Sequence, residues 1–146
     1  MTKLTQMSGD LFSSTADGMA HGANGLGVMG AGIAPRFKKL YPDMYAAYNA
    51  EGTAGRLHGG DVFVWKAPGI TIFNVISQGI LGPNAKLSFV EAGIRKALAV
   101  ADADGVRTIA LPRIGCGIGG LDWADVEPLL EGLAGESICD LEVWAR

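Results

Sequence analysis

Two glycine-rich segments, His21 to Ala34 and Pro112 to Leu121, set the narrowest limits on how this chain folds. Each follows a short apolar run that reads as a strand, and each leads into a helical pattern. Glycines between strand and helix carry no Cβ, so backbone N–H groups near the helix start can approach an anion closely. One such loop is a phosphate cradle. Two of them in a chain of 146 residues imply a ligand with two phosphates held from both sides. The 22 glycines cluster at strand ends without a repeat, so they mark loops and not a low-complexity tract.

Apolar alternation and turn residues place strands at 4–7, at 19–21, at 61–65 and 71–76 around Pro68 and Gly69, at 107–111 and at 138–144. Helical spacing falls at 32–40, at 42–51, at 88–105 and at 122–133. Pro42 suits a first helical turn. Ser88 and Glu91 match a capping box, and Gly105 is the stop of that helix. The order β, β, α, α, β, β, α, β, α, β predicts an α/β fold with a largely parallel sheet covered by helices on both faces. In such sheets ligands lie at the carboxyl ends of the strands, where both glycine segments fall. The 107–111 strand is apolar throughout, so a central position is expected.

Length predicts one domain, residues 1–146. Net charge is −3 with no Lys/Arg run, which argues against general affinity for duplex nucleic acid. The first ten residues lack an apolar leader core and no run reaches membrane-spanning length, so a cytoplasmic protein without membrane contact is expected. Cys116 and Cys139 have no metal-ligand spacing and read as reduced thiols; neither a metal nor a cofactor is expected. Nothing points to an obligate interface, and a monomer is expected. Gly25, Gly27 and Gly30, like Gly115, Gly117 and Gly120, match the dinucleotide-binding glycine pattern. A redox fold needs that pattern in its first strand–helix turn and a second mononucleotide half, for which the second loop leaves no room.

Three ordered motifs resemble the macrodomain family: Gly9 to Phe12; Ala20, His21, Asn24 and Met29 to Ala34; and Leu111 to Trp123. The branch resembled most holds the terminal ADP-ribose glycohydrolases and the antitoxin macrodomains acting on ADP-ribosylated DNA, with small phage and bacterial ADP-ribose-1″-phosphate processing proteins beside them. The resemblance spans essentially the whole chain. It implies a three-layer α/β/α fold on a mixed, mostly parallel sheet of about six strands, and ADP-ribose or an ADP-ribosylated macromolecule as partner. Carried over by position, Asp10 would accept the adenine amine, with Leu11 and Phe12 shaping that end. Asn24, Met29, Gly30, Ala31, Gly32 and Ile33 would hold the distal ribose and one phosphate. Pro112, Arg113, Ile114, Gly115, Cys116, Gly117, Ile118, Gly119, Gly120 and Leu121 would wrap the other.

Gln78 stands where the branch's glycohydrolases carry a catalytic lysine, and Gly119 where they carry an acid. An amide forms no Schiff base, so a lysine-type mechanism is excluded; Lys86 and Asp122 are near in sequence but do not match. Asn24, to orient a water, and His21, as an acid or base, are the remaining catalytic candidates. Each also has a structural explanation, Asn24 as a loop former and His21 as a bonded core residue. Cys116 sits before a helix start, where a thiol pKa can fall, though a small apolar lining residue is the simpler reading. His58 reads as a loop residue, Trp123 as helix packing, Lys38 and Lys39 as a solvated helix end, and Asn74 as a buried tie between loops. Hydrolysis of an ADP-ribosyl derivative at the 1″ position is the expected activity, and an inert ADP-ribose reader is the alternative.

Overall fold

Alternation in the longest strand explains the layering. Ile70–Gln78 places Phe73 and Val75 in one core and Ile72 and Ile76 in the other, because successive strand side chains point to opposite faces. The computed structural model describes residues 3–146; Met1 and Thr2, part of the segment read for a leader, lie outside the described residues. Its elements are β1 (Leu4–Ser8), β2 (Gly18–Asn24), α1 (Ala34–Leu40), α2 (Pro42–Thr53), β3 (Val62–Ala67), β4 (Ile70–Gln78), α3 (Leu87–Asp104), β5 (Thr108–Leu111), α4 (Trp123–Gly135) and β6 (Asp140–Ala145). A short 3-10 turn, Leu11–Ser13, follows β1.

The six strands lie in the order β1-β6-β5-β2-β4-β3, parallel except for the β3–β4 pair. That pair is joined by a tight turn through Pro68 and Gly69, which only an antiparallel connection permits. Helices α3 and α4 bury Val90, Ile94, Val126 and Leu130 against one face; α1 and α2 bury Phe37, Met44 and Tyr48 against the other. The α/β/α layering follows the element order. Strands β2 and β5 are neighbours at the centre of the sheet, and each opens into a glycine segment at its carboxyl end. Sheet order therefore brings the two loops together, although their starts, His21 and Pro112, are 91 positions apart in the chain.

Two local expectations are corrected. Helix α3 starts at Leu87 with Lys86 as N-cap and no side-chain capping bond, so Ser88 lies inside the first turn and forms no capping box. The amides of Ala85 and Lys86 donate to the carbonyls of Gly119 (3.1 Å) and Ser77 (3.1 Å), which fixes an earlier start. At the other end, Gly105 closes the helix in the left-handed conformation, φ 77°. Asn74 joins strands and not loops: its Nδ2 donates to the Phe63 carbonyl of β3 (3.0 Å), and its Oδ1 meets His21 of β2 (2.6 Å).

Candidate functional site

The first glycine loop is held from behind by α2. A Cβ on Gly52 would meet Gly27 Cα at 2.4 Å, so the loop rests directly on the helix backbone. The Tyr48 hydroxyl donates to the Asn24 carbonyl at 2.6 Å, and Asn49 Nδ2 donates to the Gly27 carbonyl at 2.9 Å. Burial pushes the Tyr48 phenol up to about 12, against the backbone bond to Asn24. Asn24 shapes the loop from inside. Its Oδ1 accepts the Leu26 amide (3.1 Å), and its Nδ2 donates to the Val28 carbonyl (2.9 Å), an Asx-type closure.

The second loop is backed by the 79–85 connection. Gly120 (φ 83°) packs against Pro83, and a Cβ on Gly119 would stand 2.6 Å from Ala85 Cβ and 2.7 Å from the Gly115 carbonyl. Gln78 binds the same connection, donating from Nε2 to the carbonyls of Ile80 (2.6 Å) and Gly82 (2.9 Å). Its Oε1 lies 3.2 Å from where a Gly119 Cβ would be. The two positions at which this chain departs from the resembled branch are thus in contact.

Between the loops lies a cavity of about 430 Å³, within the ~300–1,000 Å³ typical of small-molecule sites. Its walls are Gly22 to Asn24, Val28 to Ala34, Ser77, Gln78, Leu81 and Gly82, and the second loop at Pro112 to Gly115 and Gly117 to Gly119. Gly30 and Gly117 are the informative members. Neither has a left-handed backbone, and a Cβ on either meets no protein atom within 4 Å. Packing does not demand glycine at these places, and both border the cavity. Among the described residues, Arg113 is the sole charged side chain on its wall, and no Asp, Glu, His, Lys or Cys borders it. Nor does any group of three or more His, Cys, Asp or Glu side chains converge to hold a metal among the described residues.

Of the candidates named from sequence, the cavity gathers Asn24, Met29 to Ile33, Gln78, Pro112 to Gly115, Gly117, Ile118 and Gly119. His21 is not among them. It is fully buried, its ring stacks 4.1 Å from Phe37, Nε2 bonds Asn74, and Nδ1 has no partner among the described residues. Burial drives its pKa down to about 4 against the opposing bond to Asn74, so it is a neutral core residue out of reach of a substrate. Asn24 reaches the wall with its oxygen already engaged, which makes it a loop-positioning residue and not a free water acceptor. Cys116 and Leu121 face away, into a shallower hollow with Trp123, Trp144 and Asp122. Burial pushes the Cys116 thiol up, so it is no poised thiolate. Asp122 caps α4 through the Ala124 amide (3.0 Å).

Asp10, Leu11 and Phe12 also lie off the cavity wall. Leu11 is buried in the core. Asp10 accepts from Arg36, which holds its carboxyl down at about 2 with help from the Phe12 amide. Phe12 lies against Phe37, with ring centroids 4.9 Å apart. Sequence reasoning missed the supports: Tyr48, Asn49 and Gly52 on α2, Ser77, and the 79–85 connection. Only Gly52, a glycine inside a helical pattern, carried a signal.

The Macro domain family profile matches residues 20–130. A DNA ADP-ribosyl glycohydrolase of Mycobacterium tuberculosis is 34% identical over 131 residues, 87% of this chain; the chain spans 37% of that protein's length. The human ADP-ribose glycohydrolase is 28% identical over 131 residues, 89% of this chain and 83% of the human one. Among solved structures, the macrodomain of Mycobacterium tuberculosis DarG superposes with a TM-score of 0.91 at 31% identity, covering 98% of this chain and 97% of that one. Sequence, sheet order and cavity agree: the chain belongs to the macro domain family.

Proposed function

We propose that the cavity binds ADP-ribose and that the chain hydrolyses ADP-ribosyl derivatives at the 1″ carbon without a lysine. One observation carries the ligand: Gly30 and Gly117 are small for no reason internal to the protein, on opposite walls of a cavity bounded by two strand-end loops. A pyrophosphate between two runs of backbone N–H groups fits that pair of walls. The names of the Mycobacterium tuberculosis and human relatives support the same ligand and reaction class.

With no Asp, Glu, His, Lys or Cys on the wall among the described residues, the chemistry we assign is positioning and charge stabilisation. The C1″–O or C1″–N bond breaks, and its electron pair leaves with the departing group. Water oxygen forms the new bond to C1″, and its proton passes to solvent or to the departing anion. The loop amides stabilise negative charge, so derivatives whose leaving group is already a stable anion, phosphate or carboxylate, are the favoured substrates. A wall without Asp, Glu, His, Lys or Cys among the described residues favours a second reading, a reader that binds ADP-ribose without turnover. Incubating the protein with ADP-ribose-1″-phosphate, an ester-linked ADP-ribosylated peptide and an ADP-ribosylated oligonucleotide separates the two. Catalysed release of ADP-ribose from at least one supports the hydrolase; binding with no product from any supports the reader.

A further inference from the structure

Gln78 ends β4 on the cavity wall, with 9% of its surface exposed. Its Nε2 donates into the 79–85 connection, to the carbonyls of Ile80 (2.6 Å) and Gly82 (2.9 Å). Those two acceptors fix which end of the amide is which. Turned over, the amide would set its oxygen against two carbonyl oxygens with no hydrogen between them. Oε1 is therefore held on the other side, toward Gly119 of the second loop, 3.2 Å from where a Cβ would stand there. Among the described residues it has no donor, and the one sealed side-chain polar atom without a partner is His21 Nδ1. Oε1 thus opens onto free space, and the space that Gln78 and Gly119 share is the cavity. The wall's other polar side chains differ. Asn24 Oδ1 accepts the Leu26 amide, Ser77 Oγ turns to the Ala23 carbonyl at 3.5 Å, and Arg113 carries donors alone.

We propose that Gln78 Oε1 holds the water that attacks C1″. The inference rests on the hydrolase reading above and names the residue that positions its nucleophile. An acceptor binds water through one O–H, which leaves the water's lone pairs free to face the sugar carbon. The C1″–O or C1″–N bond breaks with its electron pair leaving on the departing group, and the water oxygen bonds to C1″. The amide itself takes no proton. The water proton stays in its bond to Oε1 until it passes to solvent or to the departing anion. Partial negative charge on Oε1 also offsets the positive charge that gathers at C1″ as the bond lengthens. Because the two loop carbonyls fix the amide beforehand, none of this ordering is left to the moment of reaction.

The test compares Gln78→Met and Gln78→Glu with wild type. Both variants lose the two bonds into the 79–85 connection, but only Gln78→Glu keeps an oxygen acceptor. The assay uses whichever of the three substrates named above wild type hydrolyses fastest, with calorimetric titration of ADP-ribose alongside. Gln78→Met should lower kcat by about tenfold or more while binding ADP-ribose within about threefold of wild type. Gln78→Glu should recover most of that kcat, a rescue that a purely structural clamp does not predict. Equal kcat losses in the two variants, or a Gln78→Met kcat within about threefold of wild type, overturn the proposal. So does a fall in ADP-ribose affinity that matches the fall in kcat, which makes Gln78 a clamp alone. A wild type that binds ADP-ribose and hydrolyses none of the three substrates removes the hydrolase reading, and this inference with it.

Discussion

Gly30 and Gly117 border the cavity with open space where a side chain would stand, and under the proposed ADP-ribose reading that space belongs to the diphosphate. Alanine at either place should leave stability within about 1 kcal/mol of wild type, or raise it by restricting the unfolded chain. The same methyl, projecting toward the bound diphosphate, should weaken ADP-ribose by about tenfold or more. Denaturant melts and titrations on the same preparations check both halves; a variant that binds normally places the ligand elsewhere. These glycines were legible in the sequence as a cluster, but their individual purposes were not. Gly27 (φ 83°) and Gly32 (φ 66°) are required by backbone and Gly119 by neighbours, whereas Gly30 borders the cavity with open space around it, distinctions that exist only in three dimensions. Asn24 reaches the cavity wall, yet its engagement with Leu26 and Val28 depends on a loop path that spacing does not specify.

At the scale of elements, the two loops are parts of a larger packing unit. The 79–85 connection is clamped by Gln78 and bonded to Gly119 through Ala85, so both positions pack against it. Gly119→Asp should destabilise the protein by about 1–3 kcal/mol through the clash with Ala85. Ala85→Gly in the same chain should recover much of that loss, and equal melts for Gly119→Asp and wild type would contradict the packing described. The elements themselves were readable because hydrophobic period and proline or glycine breaks agree along the chain. The start of α3 was not, since it depends on bonds from Ala85 and Lys86 to distant carbonyls and not on the Ser88 and Glu91 pattern.

For the molecule as a whole, two helical layers meet on one sheet, and His21 and Asn74 join β2 to β4 beneath the α1–α2 layer. His21 has a folded pKa of about 4, below its ordinary 6.5, so the unfolded chain takes up its proton first. Its neutral form contributes fully above pH 6.5, and stability falls as pH drops from there to about 4. The loss over that window should approach about 3 kcal/mol. Asp10, held at about 2, loses its contribution lower, between its ordinary 3.8 and about 2. Urea melts from pH 7 to 4 should therefore show a shallower decline for His21→Gln than for wild type; identical slopes would contradict the buried neutral assignment. The global topology was accessible from element order, whereas burial of His21 was not, because a strand-end histidine beside a glycine loop reads equally as core or catalyst.

The central claim is that the two glycine loops form one ADP-ribose site, and calorimetric titration of the protein with ADP-ribose, set beside AMP, tests it most directly. One-to-one binding of ADP-ribose with much weaker binding of AMP is the predicted result, since AMP reaches only one of the two phosphate walls. No binding of ADP-ribose, or equal binding of AMP, would contradict it.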